Sequence, residues 1–236
     1  VTIGGFVLSQ IAAVIFFVIF ARIQGWDGAE ANKKINDSVA LTFLYSLIVY
    51  GFYLLLIKKF LDWTGHKFKE VGLRMTKRKL EIPYYVFGGY VIYFALAIVT
   101  SVLVKHLLPS INFDQKQDIG IDTSTSGWPL VVVFLTLVIV PPIVEEIVCR
   151  GFLYTGLRKK LKIFGAGIVT SIIFAMAHLQ WGNDAPLLWA AAIDTFVLSA
   201  VLIYVREKTN SLIPPIGIHM LKNFMAFLAL FVFAIG

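Results

Sequence analysis

Long apolar stretches alternate with short charged segments along most of the chain. Seven of the stretches approach the ~20 residues that an α-helix needs to cross a bilayer. The pattern therefore predicts an all-α integral membrane protein with about seven transmembrane helices, or eight if one segment is re-entrant. The predicted spans are Ile3–Ala21, Val39–Ile57, Ile82–Val104, Trp128–Val148, Ile163–Gln180, Leu187–Val205 and Leu212–Ile235.

Composition supports this class and the charge distribution predicts an orientation. The chain is 58% hydrophobic and 15% charged, whereas a soluble domain has about half apolar and about a quarter charged residues. The net charge of +7 lies mostly in loops, above all Lys58–Glu81, which favours a topological role over nucleic-acid binding. The positive-inside rule predicts the N-terminus inside and the C-terminus outside. Neither an internal repeat nor a linker interrupts the sequence, so we predict a single polytopic domain over residues 1–236.

Three polar clusters lie within the predicted spans or directly after them. They are Glu145-Glu146 with Arg150, His178, and His219 with Asn223. An ionisable side chain inside a membrane costs at least ~2.5 kcal/mol, and such residues usually face the interior of the helix bundle and mark function. The sequence therefore predicts an intramembrane polar cavity lined by these side chains.

Helix geometry indicates that the clusters converge. Glu145 and His178 are almost equally distant from a basic turn near Leu161. In an antiparallel helical hairpin, both then lie ~18–20 Å from the turn, at 1.5 Å per residue. His219 and Asn223 are four residues apart and share a helix face. We expect the carboxylate and the imidazoles to meet at one depth.

Two further features concern the helix that carries the carboxylates. Glu146 and Arg150 are four residues apart, which is the spacing of an intrahelical ion pair. Pro141-Pro142 predicts a kink or break one turn before Glu145. The single cysteine, Cys149, excludes an intrachain disulfide and a Cys-rich metal site, and beside carboxylates it is predicted to pack rather than react.

These residue types suit the hydrolysis of an amide by water. A buried carboxylate and an imidazole can hold and deprotonate a water molecule. A second histidine with an asparagine one turn away can donate hydrogen bonds to a developing oxyanion. The clusters contain no Ser/His/Asp set, and the chain has neither a Gly-x-Ser-x-Gly motif nor a His-Glu-x-x-His motif.

The clusters also resemble a known family. Glu145-Glu146-x-x-x-Arg150-Gly151, Phe174-x-x-x-His178 and His219-x-x-x-Asn223 are similar to the three signatures of the CAAX protease and bacteriocin-processing family. This family of membrane peptidases, also called ABI or CPBP, includes the Ras-converting CAAX endopeptidases. Two more runs resemble family motifs, Val71-Gly72-Leu73-Arg74 and Lys208–Ile216. The chain departs from the family at Ser199 and Ile203, where the family usually has glycines after Phe196.

The resemblance implies a glutamate intramembrane endopeptidase with its peptidase-like core at about residues 128–236. It implies that Glu145 and His178 activate water and that His219 and Asn223 form the oxyanion site. Glu146 would be catalytic or would, with Arg150 and Phe174, support the site. No cofactor is expected; in the zinc-dependent alternative the ligands are Glu145, His178 and His219.

Partners and alternatives follow from the same resemblance. The expected partners are the lipid bilayer and a membrane-associated peptide or protein substrate, prenylated or not, and no nucleic acid. The expected location is the plasma membrane in a bacterium or the endoplasmic reticulum in a eukaryote. Two other functions stay open: a non-catalytic peptide-binding immunity or scaffold protein of the same fold, and an ion-coupled transporter. The sequence leaves the oligomeric state open.

Overall fold

The computed structural model describes residues 2–113, 115, 121–180 and 187–233, and among these residues it contains helices and no strand. Six of the helices are long and apolar enough to cross a membrane, and α6 is a shorter apolar helix. The prediction of an all-α membrane protein is therefore confirmed. The helices are α1 (Thr2–Ile23), α2 (Gly28–Asn36), α3 (Val39–Trp63), α4 (Glu81–Leu107), α5 (Trp128–Arg158), α6 (Ile163–Met176), α7 (Trp189–Thr209) and α8 (Ile213–Val232).

All seven predicted spans begin within two residues of a helix start, but α3 and α5 extend six and ten residues beyond the predicted ends Ile57 and Val148. One helix, α2, was not predicted; it lies between the first two predicted spans. Its start has a recognisable cap, since the Asp27 carboxylate accepts a hydrogen bond from the Glu30 backbone N–H at 2.8 Å. The predicted end of the last span, Ile235, lies outside the described residues. The predicted orientation of the termini and the single-domain assignment stay predictions.

Helix α5 runs through Pro141-Pro142 instead of ending there. A π-helical turn, Leu135–Ile139, precedes the prolines, and a second, Ile147–Leu153, follows Glu146. Proline removes an N–H donor and crowds the preceding turn, and a π turn widens the helix where that happens. Of the predicted kink or break, the break does not occur, because the π turn accommodates the prolines within a helix that continues to Arg158.

Helix α6 is shorter than its predicted span of Ile163–Gln180. It ends at Met176, and Gln180 takes a left-handed backbone conformation with φ 52°. The backbone N–H of His178 donates to the Ala175 carbonyl at 2.9 Å. This bond spans three residues, as in a 3₁₀ turn, whereas an α-helical bond spans four. His178 therefore lies in the turn after the helix and not, as predicted, within a spanning helix.

The described residues form two compact units. The first comprises those of Val1–Phe68, Asp118–Val148 and Asn223–Gly236. Here α1 packs on α3 along a stripe of buried residues spaced by four. Small residues on α1 let the two backbones approach, as is common between membrane helices. The buried stripe on α1 consists of Gly5, Ser9, Ala13, Phe17 and Ala21.

The second unit comprises the described residues of Lys69–Gln117 and Cys149–Lys222. Helix α7 is its centre and packs against α4 and α6. Ile203, which stands where the family usually has glycine, is buried against Tyr154 and Ala166. A Cβ added to Gly167 of α6 would lie 3.7 Å from Ile203 Cγ2. Small residues on α6 thus compensate for the larger side chain on α7.

Two segments that resemble family motifs, 71–74 and 208–216, contact each other in this unit. The backbone N–H of Leu212 donates to the Gly72 carbonyl at 2.9 Å, and the Ser211 hydroxyl donates to the Arg74 carbonyl. The buried Arg206 guanidinium lies against Gly72, where an added Cβ would be 2.5 Å from Nη2. Gly72 also has φ +99°, so both space and backbone conformation require glycine there. The segment before α4 is therefore fastened to the turn between α7 and α8.

Candidate active site

In the second unit, three of the predicted site residues surround the ring of Phe174. Phe174 is 3% exposed. The rings of His178 and His219 lie edge-on to it, with centroid distances of 4.9 and 5.9 Å. The Arg150 guanidinium carbon lies 4.2 Å from the ring centroid on the π face. The structure thus brings together four residues that the sequence placed on three separate apolar stretches.

The ring of His178 is oriented by the backbone of its own helix end. Its Nδ1 lies 2.9 Å from the Phe174 carbonyl oxygen. A carbonyl oxygen can only accept, so Nδ1 carries the proton in this bond, and the lone pair of a neutral ring is on Nε2. The imidazole thus takes the place of the His178 backbone N–H as donor to the Phe174 carbonyl, and that N–H donates to the Ala175 carbonyl instead. This arrangement favours the tautomer that accepts a proton at Nε2.

His219 and Arg150 are buried more deeply than His178. His219 is 4% exposed and Arg150 is 0% exposed, whereas His178 is half-buried. A cation held over an aromatic face gains roughly 2 kcal/mol when it is desolvated. The Phe174 ring therefore stabilises the Arg150 charge while fixing the positions of two imidazoles.

In the first unit, Glu145 has a hydrogen-bond donor that the sequence did not reveal. The hydroxyl of Tyr50, on α3, donates to Glu145 Oε1 at 3.2 Å. Glu145 is half-buried, while its neighbour Glu146 is 0% exposed. A half-buried carboxylate can reach a water molecule, and a fully enclosed one is suited to a structural role. Tyr50 is one of three tyrosines within the apolar span of α3, and buried hydroxyls of this kind usually need a partner.

The side chain of Asn223 donates a hydrogen bond to a backbone carbonyl of α5. This carbonyl has no donor within its own helix because of Pro141-Pro142. Asn223 Nδ2 donates to the Leu137 carbonyl at 2.9 Å. In a helix that carbonyl would accept from residue 141 or 142, but both are prolines and have no N–H. The Asn223 amide satisfies this carbonyl. Pro141-Pro142 therefore creates an acceptor that positions Asn223.

A second polar contact inside the apolar helices also escaped the sequence analysis. In the second unit, the Tyr93 hydroxyl donates to Asp194 Oδ1 at 2.7 Å, and Lys222 Nζ lies 3.7 Å from Asp194 Oδ2. The sequence feature that could have revealed this contact is Lys222, a cation inside an apolar span. This contact links α4, α7 and α8.

A metal site is not evident among the side chains that the structure describes. Within that part of the chain, no group of three or more His, Cys, Asp or Glu side chains could hold a metal ion. The zinc-dependent alternative, with Glu145, His178 and His219 as ligands, stays a prediction.

Comparisons with known proteins agree with the pattern of these residues. A family model described as "Type II CAAX prenyl endopeptidase Rce1-like" matches residues 127–225. The chain is also 27% identical over 222 residues to "Putative membrane peptidase YdiL" of Bacillus subtilis (strain 168), covering 92% of this chain and 83% of that protein. No solved structure matches the chain. Together with the six apolar helices, these two matches support the resemblance of the chain to the CAAX protease and bacteriocin-processing family of membrane peptidases.

Proposed function

We propose that the protein is a glutamate-type intramembrane endopeptidase acting on a membrane-associated peptide or protein. Glu145 and His178 activate the attacking water, and His219 with Asn223 stabilises the oxyanion. The observation that carries the proposal is the His178 ring, whose Nδ1 is held on the Phe174 carbonyl at 2.9 Å so that Nε2 is the basic nitrogen.

The reaction assigns a task to each group. Water adds to the scissile carbonyl carbon while its proton passes to Glu145, with His178 Nε2 accepting a hydrogen bond from the same water. The carbonyl oxygen becomes an oxyanion that His219 and the Asn223 amide stabilise by donating hydrogen bonds. A carboxamide has two N–H donors, so Asn223 can donate to Leu137 and to the oxyanion together. The proton on Glu145 then passes to the leaving amine as the C–N bond breaks.

The supporting residues act through the catalytic ones. Arg150 and Phe174 hold the two imidazoles in the second unit, and Tyr50 orients Glu145 in the first. Glu146 is assigned a structural role because its carboxylate is fully enclosed.

The proposal is tested with purified protein in liposomes and a panel of quenched peptides anchored in the membrane, each with and without a prenyl group. We expect turnover of at least one peptide, loss of about 10²–10⁴-fold in His178→Ala, and unchanged turnover with a zinc chelator. Loss on chelation would instead assign zinc to Glu145, His178 and His219.

The same panel separates the two other functional classes. Tight peptide binding without cleavage, equal in wild type and His178→Ala, would show an immunity or scaffold protein. Ion-dependent peptide uptake into the liposome lumen without cleavage would show a transporter. Comparison of the prenylated and plain peptides identifies whether the substrate class includes a lipid-modified C-terminal segment.

Removal of the Tyr50 hydroxyl is expected to lower kcat about tenfold and to leave KM nearly unchanged. A hydrogen bond to a charged group contributes about 1.5–3 kcal/mol, and Tyr50→Phe loses the orientation of Glu145 that this bond supplies. Steady-state kinetics on the cleaved peptide measure the two constants separately.

Tyr53→Phe is the matched control for Tyr50→Phe. Tyr53 lies on the same helix, and its hydroxyl donates to the Thr2 carbonyl at 2.5 Å instead of to a carboxylate. We expect its effect on kcat to be small. Equal kcat losses in the two variants would show that the Tyr50 hydroxyl matters only for helix packing.

A further inference from the structure

We propose that the second unit contains a binding site for the phosphate group of an anionic membrane lipid. The site is a cavity of about 530 Å³ between the start of α4 and the end of α7. Four cations and one carboxylate line it: Arg74, Lys77, Arg78, Lys208 and Glu81. This inference does not depend on the proposed peptidase mechanism, because none of these residues has a part in it.

The charge of the cavity favours an anion. Within the described part of the chain, Glu81 is the only carboxylate of the lining, and it pairs with Arg78 at 3.0 Å. Among the described residues, no carboxylate forms an ion pair with the other three cations, Lys77, Lys208 and Arg74. Three of the four positive charges are therefore not neutralised by a carboxylate. A lipid phosphate diester carries one negative charge, and each nearby Lys or Arg attracts an anionic membrane by about 1 kcal/mol.

The cavity is held in shape by the contacts between the two segments that resemble family motifs. Arg74 Nε donates to the Asn210 carbonyl at 2.9 Å, and its own carbonyl accepts from the Ser211 hydroxyl. The Thr76 hydroxyl donates to the Arg78 carbonyl at 3.1 Å, which fixes the turn that carries Lys77. A preformed site loses less entropy on binding than a mobile loop.

The surroundings of the cavity indicate a lipid and not a soluble phosphate. The cavity lies where two apolar helices long enough to cross a membrane, α4 and α7, begin and end. Large apolar side chains beside it are exposed, with Leu80 at 95%, Tyr84 at 75% and Met75 at 53%. Such side chains insert among lipid tails near the headgroups while the cations contact the phosphate. A soluble anion would gain nothing from them.

The test compares lipid binding by the wild type and by Lys77→Gln/Lys208→Gln, with Lys160→Gln/Lys162→Gln as the matched control. The control removes the same charge from exposed residues in another basic turn. Proteins are placed in phosphatidylcholine nanodiscs with increasing phosphatidylglycerol, and bound phosphatidylglycerol is counted by native mass spectrometry. We expect about tenfold weaker binding in the first variant and less than a twofold change in the control.

Several results would overturn the proposal. Equal losses in both double variants would show a general attraction to the membrane surface. Unchanged binding in both would show that the cavity does not bind lipid. Displacement of the lipid by inorganic phosphate at a similar affinity would identify a soluble ligand. Unchanged lipid binding together with selectively slower cleavage of acidic peptides would assign the cavity to substrate.

Lipid binding and peptide cleavage are measured separately, so the two proposals fail separately. A protein that binds phosphatidylglycerol as expected but cleaves no peptide would retain the lipid site and lose the peptidase mechanism.

Discussion

Glu145→Gln is expected to lower kcat/KM about a thousandfold. Glutamine keeps the shape of the side chain and can still accept a hydrogen bond from Tyr50, but it cannot take the proton from water. General-base catalysis typically contributes about 10²–10⁴-fold. Initial rates on the cleaved peptide, with thermal unfolding in the same liposomes, measure the loss of activity and the unchanged stability.

Glu146→Gln is the comparison that separates the two adjacent carboxylates. Glu146 is 0% exposed, so a change there is expected to lower the unfolding temperature more than Glu145→Gln does. A thousandfold loss in Glu146→Gln with normal stability, beside an active Glu145→Gln, would exchange the two roles.

Phe174→Ala is expected to destabilise the protein by about 2–4 kcal/mol and to lower kcat at least tenfold. The ring is 3% exposed and contacts His178, His219 and the Arg150 guanidinium. Its loss leaves a cavity, removes the cation–π contact and releases both imidazoles from their edge-on positions. Reversible unfolding in detergent measures the free energy, and kinetics well below the unfolding temperature measure kcat.

Phe17→Ala is the control for general destabilisation. Phe17 is 5% exposed on α1 and packs among aromatic rings, so its removal also leaves a cavity. We expect a comparable loss of stability with kcat within about twofold of the wild type. A normal kcat in Phe174→Ala would contradict the positioning role of the ring.

Much of the fold was predictable because hydropathy reports directly on membrane helices. Every spanning helix must satisfy its own backbone hydrogen bonds, so length and apolar composition identify it. The starts of all seven predicted spans were found to within two residues, while α2 was missed because it is short and polar. The early end of α6 at Met176 was also missed, because hydropathy does not report where the backbone leaves the helical conformation.

The candidate site was predictable as a set of residues but not as a set of contacts. Charged, imidazole and carboxamide side chains in apolar stretches are conspicuous, so six of the seven predicted site residues could be named from the polar pattern, and Phe174 was named from the family resemblance. Tyr50 could not, because a tyrosine in a membrane span is common at interfaces and its hydroxyl partner comes from another helix.

The sequence by itself determined the class of protein, the helices and the inventory of polar groups, because the cost of burying charge in lipid makes each such residue visible. The tertiary structure decided how those groups are held. It placed His178 in a turn with Nδ1 on the Phe174 carbonyl, and it gave Asn223 the Leu137 carbonyl that Pro141-Pro142 leaves without a donor. Hydrogen bonds between distant segments depend on helix ends and π turns, and these arise from packing that local sequence does not specify.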